Sequence, residues 1–348
     1  MTKSKGYGMK NKIMVAGNII VDYLYPITGY PERGQLTTIE DGCGKSVGGA
    51  VCNVGIDLKR LMPDTEICAL GLVGDDDSGR YALSVMEDEG VNTSLVGKKG
   101  ATSFTYVMSD KISRERTFFQ YRGANAHFSE DSFNWDDIDC DLIHIAYILL
   151  LDELDKEDRE YGTKMARLLA HAKERGIKTS IDVVSETGER FGRLVPPALR
   201  YTDYCIINEI EASRSTGIQL RAEDGALIYE NVKKVLSKLF ELGVSEWAVI
   251  HSPEGGFGMD KDGDYAECGL VYTPSGFIKG KVGAGDAFCA GVLSAAHRGL
   301  SLLDAVKLGN AAATVSLRSP GATEAMETIE ETMRICSELG FEPVKLSK

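Results

Sequence analysis

Val282-Gly283-Ala284-Gly285-Asp286-Ala287-Phe288-Cys289-Ala290-Gly291 puts a turn of small residues, an acid and a helix start into one short run. Gly283, Ala284 and Gly285 carry almost no side chain, so a ligand can approach their backbone N–H groups closely. The residues after Asp286 read as a helix, through Ala287, Phe288, Ala290, Val292, Leu293, Ala295 and Ala296, with Gly299 as its stop. The first turn of a helix offers unpaired N–H donors and the positive end of a dipole, which suits an anion. An acid there repels a phosphate unless it has another task, such as taking a proton from a hydroxyl that attacks the phosphate. The plainer alternative is that Asp286 only caps the helix.

Outward from this run, apolar strand-like stretches alternate with helical ones. Lys12–Ile20, Thr65–Val73, Asp141–Tyr147, Ile177–Val184, Tyr204–Ile207 and Glu246–His251 read as strands. Helices are expected at about Arg80–Glu89 and Lys156–Arg175, with two more at the C-terminal end. Such alternation with glycine stops predicts an α/β fold, a three-layer α/β/α sandwich whose mainly parallel sheet is covered on both faces. Two segments break the rhythm. Asp22–Ser46 and Lys99–Tyr121 have no helical period and are rich in Thr, Tyr, Phe and Ile, so they are expected to pair as a small sheet outside the main one, or to form long surface hairpins. No internal repeat or low-complexity linker is found.

Three further constellations carry chemistry. In Val47-Gly48-Gly49-Ala50-Val51-Cys52-Asn53, two glycines open the backbone before a helix expected over Val54–Leu61, and Asn53 can donate to and accept from neighbouring hydroxyls. In Asn208-Glu209-Ile210-Glu211, Asn208 fits a helix N-cap and Glu211 its capping-box partner; an oxygen pair of this kind also suits Mg²⁺. In His251-Ser252-Pro253-Glu254-Gly255-Gly256, a turn follows a strand, but Pro253 removes one N–H. Arg116 and Arg122 lie in the second irregular segment, where they either grip an anionic group or face solvent. His144 and Tyr147 close a strand at the side of the sheet where ligands bind, and Tyr147 either meets substrate or belongs to the core.

Gly283–Phe288 resembles the C-terminal signature of the ribokinase-like carbohydrate kinases, the phosphofructokinase-B family, roughly Asp-Thr-x-Gly-Ala-Gly-Asp-x-Phe. Gly48-Gly49 with Asn53 resembles the N-terminal Gly-Gly-x-x-x-Asn signature, and the likeness extends from about Lys12 to Glu338. It implies a ribokinase-like domain over residues 12–340, with a β lid inserted from about 22–46 and 99–122 that closes over a sugar and often dimerises. It implies that Asp22, Gly48, Gly49 and Asn53 hold the sugar, with Arg116, Arg122 and Tyr147 as further candidates. It implies that Asp286 is the general base and that Gly283, Ala284 and Gly285 form an anion hole. Asn208 and Glu211 match the Asn-x-x-Glu motif that orders Mg²⁺, mostly through water. His251 and Gly256 fall on the Thr-x-Gly-x-x-Gly phosphate loop, with His251 and Pro253 replacing its Thr and first Gly. Asn310 and Gly321 match positions that pack the adenine. Gly280-Lys281 replaces the usual Asp-Thr, whose acid helps bind a monovalent cation, so that ion is doubtful here and Lys281 is a candidate to stand in for it; otherwise Lys281 points to solvent.

The chain has 348 residues and a formal net charge of −13, which disfavours nucleic acid and anionic membranes as partners. Its eight cysteines, at 43, 52, 68, 140, 205, 268, 289 and 336, form no Cys-x-x-Cys pair and read as reduced thiols of a cytoplasmic protein. The histidines show no metal spacing, and no apolar run is long enough to span a membrane. Residues 1–11 are expected to form a disordered tail and 341–348 a C-terminal one. The expectation is therefore a Mg²⁺- and ATP-dependent kinase acting on a sugar hydroxyl (a pentose, ketohexose or sugar acid), with the resemblance implying a homodimer through the lid. Nucleoside and sugar-phosphate kinases of the same fold are alternatives, as is a non-catalytic sugar sensor. A dinucleotide-binding oxidoreductase is disfavoured because no Gly-x-Gly-x-x-Gly follows the first strand.

Overall fold

The computed structural model describes residues 10–113, 115–184 and 188–343. The chain runs β1 (Lys12–Gly17), β2 (Ile20–Ile27), β3 (Gly44–Gly48), α1 (Ala50–Leu61), β4 (Glu66–Val73), α2 (Asp77–Asp88), β5 (Gly97–Lys98), β6 (Phe104–Asp110), β7 (Arg116–Tyr121) and β8 (Leu142–Ile148). It continues through β9 (Glu157–Asp158), β10 (Gly162–Thr163), α3 (Lys164–Glu174), β11 (Lys178–Val183), α4 (Phe191–Leu199), β12 (Tyr204–Asn208), α5 (Glu209–Thr216) and α6 (Tyr229–Glu241). It closes with β13 (Trp247–Ser252), β14 (Gly255–Asp260), β15 (Tyr265–Gly269), α7 (Ala284–His297), α8 (Leu302–Ser316) and α9 (Ile329–Leu339).

The main sheet has nine strands in the order β15-β14-β13-β12-β11-β8-β1-β4-β5. It is parallel except that β14 and β15 run antiparallel to their neighbours. The centre strand β1 explains why its sequence shows no alternation: Ile13 and Val15 join a core with α1, α7 and α8, while Met14 and Ala16 join the core under α3 to α6. Both faces are buried, so every position from Ile13 to Ala16 is apolar. The two irregular segments do form a separate four-stranded sheet, β3-β2-β6-β7. It is rooted at Ile20, Gly48, Phe104 and Tyr121. Its edge strand β7 is exposed along its whole length, including Phe118 and Phe119.

Four segments depart from the sequence expectation. The helix expected from Lys156 begins only at Lys164, because Asp158 accepts from Glu160 and Tyr161 N–H to make a turn and Thr163 then caps the helix through Ala166 N–H. The helix α4 was hidden by Pro196 and Pro197 within it. The glycine-rich Gly255–Asp260, for which the sequence names no element, is a strand: a Cβ on Gly256 would meet Val306 and Phe288, and one on Gly258 would meet Leu302, so glycine lets α7 and α8 approach the sheet. A third helix, α9, follows the two expected at the C-terminal end. Of the expected tails, residues 1–9 and 344–348 lie outside the described residues. Lys10 donates its N–H to Asp141, and Glu342 donates its N–H to Leu270 O. Among the described residues no helix is long and apolar enough to cross a membrane.

Candidate active site

Gly283 adopts φ 74 and precedes α7, and a Cβ there would come within 2.7 Å of Ala322. Only glycine meets both demands without strain. The turn leaves the N–H groups of Ala284, Gly285 and Asp286 without partners inside the helix, facing outward from its positive end. Gly285 keeps this surface open, since a Cβ would stand 3.3 Å from the His251 ring.

Asp286 is only 8% exposed, and both of its carboxylate oxygens have donors. Asn53 Nδ2 donates to Oδ2 at 2.9 Å, and the Tyr147 hydroxyl donates to Oδ1 at 2.5 Å. Burial raises the Asp286 pKa above the usual carboxylate range, and the bonds from Tyr147 and Asn53 hold that rise back. The carboxylate therefore keeps affinity for a proton while two fixed donors orient it.

The lid root meets this centre through α1. Gly49, at φ 82, starts α1, and a Cβ on it would strike Asn18 O at 2.5 Å. Asn18 N–H donates to Ala146 O, Asn18 O accepts from Val51 N–H, and Asn18 Oδ1 accepts from Tyr147 N–H at 2.7 Å. One buried asparagine thus ties β1, α1 and β8 together. Asp22 lies on β2 against Gly48, where a Cβ would come within 2.5 Å of its Oδ2, and burial raises its pKa.

Two cavities meet at the α7 N-terminus. One of about 240 Å³ is bordered by Tyr147, Asp182, Asn208, Glu211 and Asp286. The other, about 370 Å³, is mostly apolar and includes Pro253, Leu270, Phe288, Asn310 and Leu317. His251, Lys281, Ala284 and Gly285 border both. A larger cleft of about 600 Å³ opens at the opposite end of the strands, beside Lys10, Asp141 and Lys178. Ligands of open α/β sheets bind beyond the carboxyl ends of the strands, which selects the pair at α7.

Asn208 and Glu211 form the expected capping box: the Asn208 side chain accepts from Ile210 and Glu211 N–H, and Glu211 Oε2 accepts from Asn208 N–H at 3.0 Å. Opposite them, Asp182 has its pKa pushed well up by burial and by the charges of Glu211 and Asp286. An oxygen-donor set of mutually repelling acids suits Mg²⁺, which would draw its remaining ligands from water. Sequence reading missed Asp182; its signal was a lone acid at the end of an otherwise uncharged strand stretch, Thr179-Ser180-Ile181-Asp182-Val183.

His251 stacks on Phe288 with ring centroids 4.9 Å apart, and burial lowers its pKa to about 4, so it is a neutral wall between the cavities. The turn that follows is braced by an ion-paired Arg221, which binds Glu209 at 2.6 Å and also Glu254. Asn310 borders the apolar cavity but spends its amide on Cys268 O and Gly269 O, at 2.7 and 3.0 Å. Gly256 and Gly321 border neither cavity: Gly256 serves helix packing, and Gly321 lies against the Glu324 carboxylate.

The two lid arginines are not brought to Asp286. Arg116 pairs with Ser109 at the far end of the lid, five register steps from the Phe104–Tyr121 root and so about 17 Å along the strand. Arg122 donates to Leu150 O at 3.1 Å and Leu149 O at 3.4 Å, so it braces the loop after β8.

This arrangement agrees with what the chain resembles as a whole. A 5-dehydro-2-deoxygluconokinase of Geobacillus thermodenitrificans is 24% identical over 303 residues, covering 82% of this chain and 83% of that protein. A nucleoside kinase of Methanocaldococcus jannaschii is 24% identical over 331 residues, covering 94% and 97%. The solved structure of Arabidopsis thaliana ribokinase complexed with ribose and ATP superposes with a TM-score of 0.76 at 19% identity, over 93% of this chain and 98% of that one. The family model described as pfkB family carbohydrate kinase matches residues 10–329, which takes in the lid, both glycine turns and Asp286, and the chain accordingly belongs to the pfkB family of carbohydrate kinases.

Proposed function

We propose that this kinase transfers the γ-phosphoryl group of ATP to a hydroxyl of a sugar, with Asp286 as the general base. The observation that carries the reading is the wall shared by the two cavities: the α7 N-terminus separates an apolar chamber from an acidic one, and Asp286 faces the acidic side. The adenosine part of ATP fits the apolar chamber and its phosphates the shared wall. The acceptor lies between Asp22, Gly49 and Asn53 on one side and Asp286 on the other. As the hydroxyl oxygen bonds to the γ-phosphorus, the bond from that phosphorus to the β–γ bridging oxygen breaks and ADP leaves, while Asp286 takes the hydroxyl proton. The amides of Ala284, Gly285 and Asp286, with the helix dipole, stabilise the charge that builds on the phosphoryl oxygens.

Glu211, Asn208 and Asp182 would hold Mg²⁺, and that ion would supply charge neutralisation at the phosphates. Lys281 borders both chambers, and among the described residues it makes no hydrogen bond or ion pair, so its ammonium is available to the phosphates in place of a monovalent cation. The exposed aromatic edge strand of the lid supports a homodimer formed there. A nucleoside acceptor is the second reading, favoured by the nucleoside kinase among the relatives.

The test is ATP consumption with Mg²⁺ against pentoses, ketohexoses, sugar acids, sugar phosphates and nucleosides. Turnover is expected with a sugar. Turnover with nucleosides alone would establish the second reading, and binding without turnover across the panel would overturn the kinase assignment.

A further inference from the structure

Asp286 is held by two donors, and one of them was not foreseen as acting on the base. The Tyr147 hydroxyl stands 2.5 Å from Asp286 Oδ1, and the two residues are 139 positions apart in the chain. We infer that Tyr147 is a positioning residue of the transfer reaction, holding Asp286 in its proton-accepting form and orientation. This rests on the reading of Asp286 as the base.

The phenol is placed for this by its backbone. Tyr147 N–H donates to Asn18 Oδ1 at 2.7 Å, and Tyr147 O accepts from Leu150 N–H at 3.1 Å. Asn18 is itself 1% exposed and anchored by its own N–H to Ala146 O, so the segment bearing the ring is fixed on both sides. Burial and the charge of Asp286 push the phenol pKa well up, so Tyr147 keeps its proton and remains a donor. A donor to a carboxylate favours the charged form. With Asn53 on the other oxygen, the carboxylate is clamped at both ends while each oxygen retains a lone pair for the acceptor hydroxyl.

Other titratable groups surround the carboxylate. Asp57 on α1 and Asp182 on β11 are acids whose pKa values burial pushes well up, with the charge of Asp286 adding to the rise. Cys52 on α1 and Cys289 on α7 are thiols held neutral by burial. His251 on β13 is neutral above about pH 4, and Lys281 borders the same cavity as Asp286. Among the described residues, Tyr147 and Asn53 are the side chains that donate to Asp286.

Tyr147→Phe removes the hydroxyl and keeps the ring. Loss of a donor to the carboxylate raises the Asp286 pKa, so the acid limb of the kcat–pH profile should move to higher pH. A displacement of about one unit costs about tenfold in kcat well below the limb and little well above it. KM for ATP should not change, because Tyr147 does not border the apolar cavity. In parallel, 3-fluorotyrosine placed at position 147 makes a stronger donor, fills nearly the same space, and should move the limb to lower pH. An acid limb that stays at its wild-type position in both variants overturns the inference but leaves the base assignment intact, provided Asp286→Asn is inactive. An active Asp286→Asn overturns both.

Discussion

Lys281 stands at the one place where the two chambers share a charged wall residue, with its ammonium unspent on any described partner. On the proposed reading, this tethered cation at the phosphates would make a free one unnecessary. Exchanging Na⁺ for K⁺ should therefore leave turnover unchanged, and a clear rise with K⁺ would contradict this role. Lys281→Ala should raise KM for ATP by about fivefold, a modest figure because an exposed charge is screened by solvent. At this scale the motif residues were legible in the sequence. Gly283–Asp286 announced a helix N-terminus with an acid, and Asn208 with Glu211 announced a capping box that the structure contains bond for bond. What no local pattern could show was the pairing of Tyr147 with Asp286, because β8 and α7 meet only after the sheet has formed. The same holds for Arg122, whose lid position suggested a ligand clamp but whose guanidinium is used on the carbonyls of Leu149 and Leu150.

Elements set the precision of the centre. Helix α1 delivers Asn53 to Asp286, and one turn later on the same face it buries Asp57 completely. Neither Asp57 oxygen has a donor among the described residues, and Asn53 Oδ1 likewise lacks one. Burial and the Asp286 charge push the Asp57 pKa well up, with Arg60 opposing. The sign follows from which state binds the proton. The folded pKa lies above the unfolded one, so stability is fully present below the unfolded value and is lost as pH rises through the window up to the folded value. Asp57→Asn removes that loss and should stabilise the protein at neutral pH, by about 1.4 kcal/mol for each unit from the unfolded pKa up to the folded pKa or to the working pH, whichever is lower. Denaturant melts at several pH values check this: the advantage should shrink as the pH falls toward 4. An Asp57→Asn protein less stable than wild type at pH 7 would show that the carboxylate has a partner. The elements that escaped the sequence did so for local reasons. Asp158 and Thr163 cut the front from a helix by satisfying backbone N–H groups themselves, and the glycines of β14 looked like a loop because glycine was required by the helices packed on that strand.

Across the whole molecule, the strand–helix alternation, the mainly parallel sheet and the separate lid were legible because periodicity reports burial, and burial is what a layered fold imposes, while the outer strands β5, β14 and β15 were not. The chemistry was legible only where a chain segment carries it alone. Asp182 was lost among apolar strand neighbours, although the fold sets it facing Glu211 at the carboxyl ends of the strands. On the proposed reading, a chain with a net charge of −13 would meet an anionic nucleotide at one wall, between an apolar chamber and an acidic one, where the α7 N-terminus and Lys281 supply positive charge. The central claim is that Asp286 takes the acceptor's proton at that wall. The measurement that tests it most directly is transfer of the γ-phosphoryl group from labelled ATP to the best acceptor, with wild type beside Asp286→Asn and ATP binding determined for both. The account predicts unchanged ATP binding and a loss in kcat of about a thousandfold; near-normal transfer by the variant would contradict it.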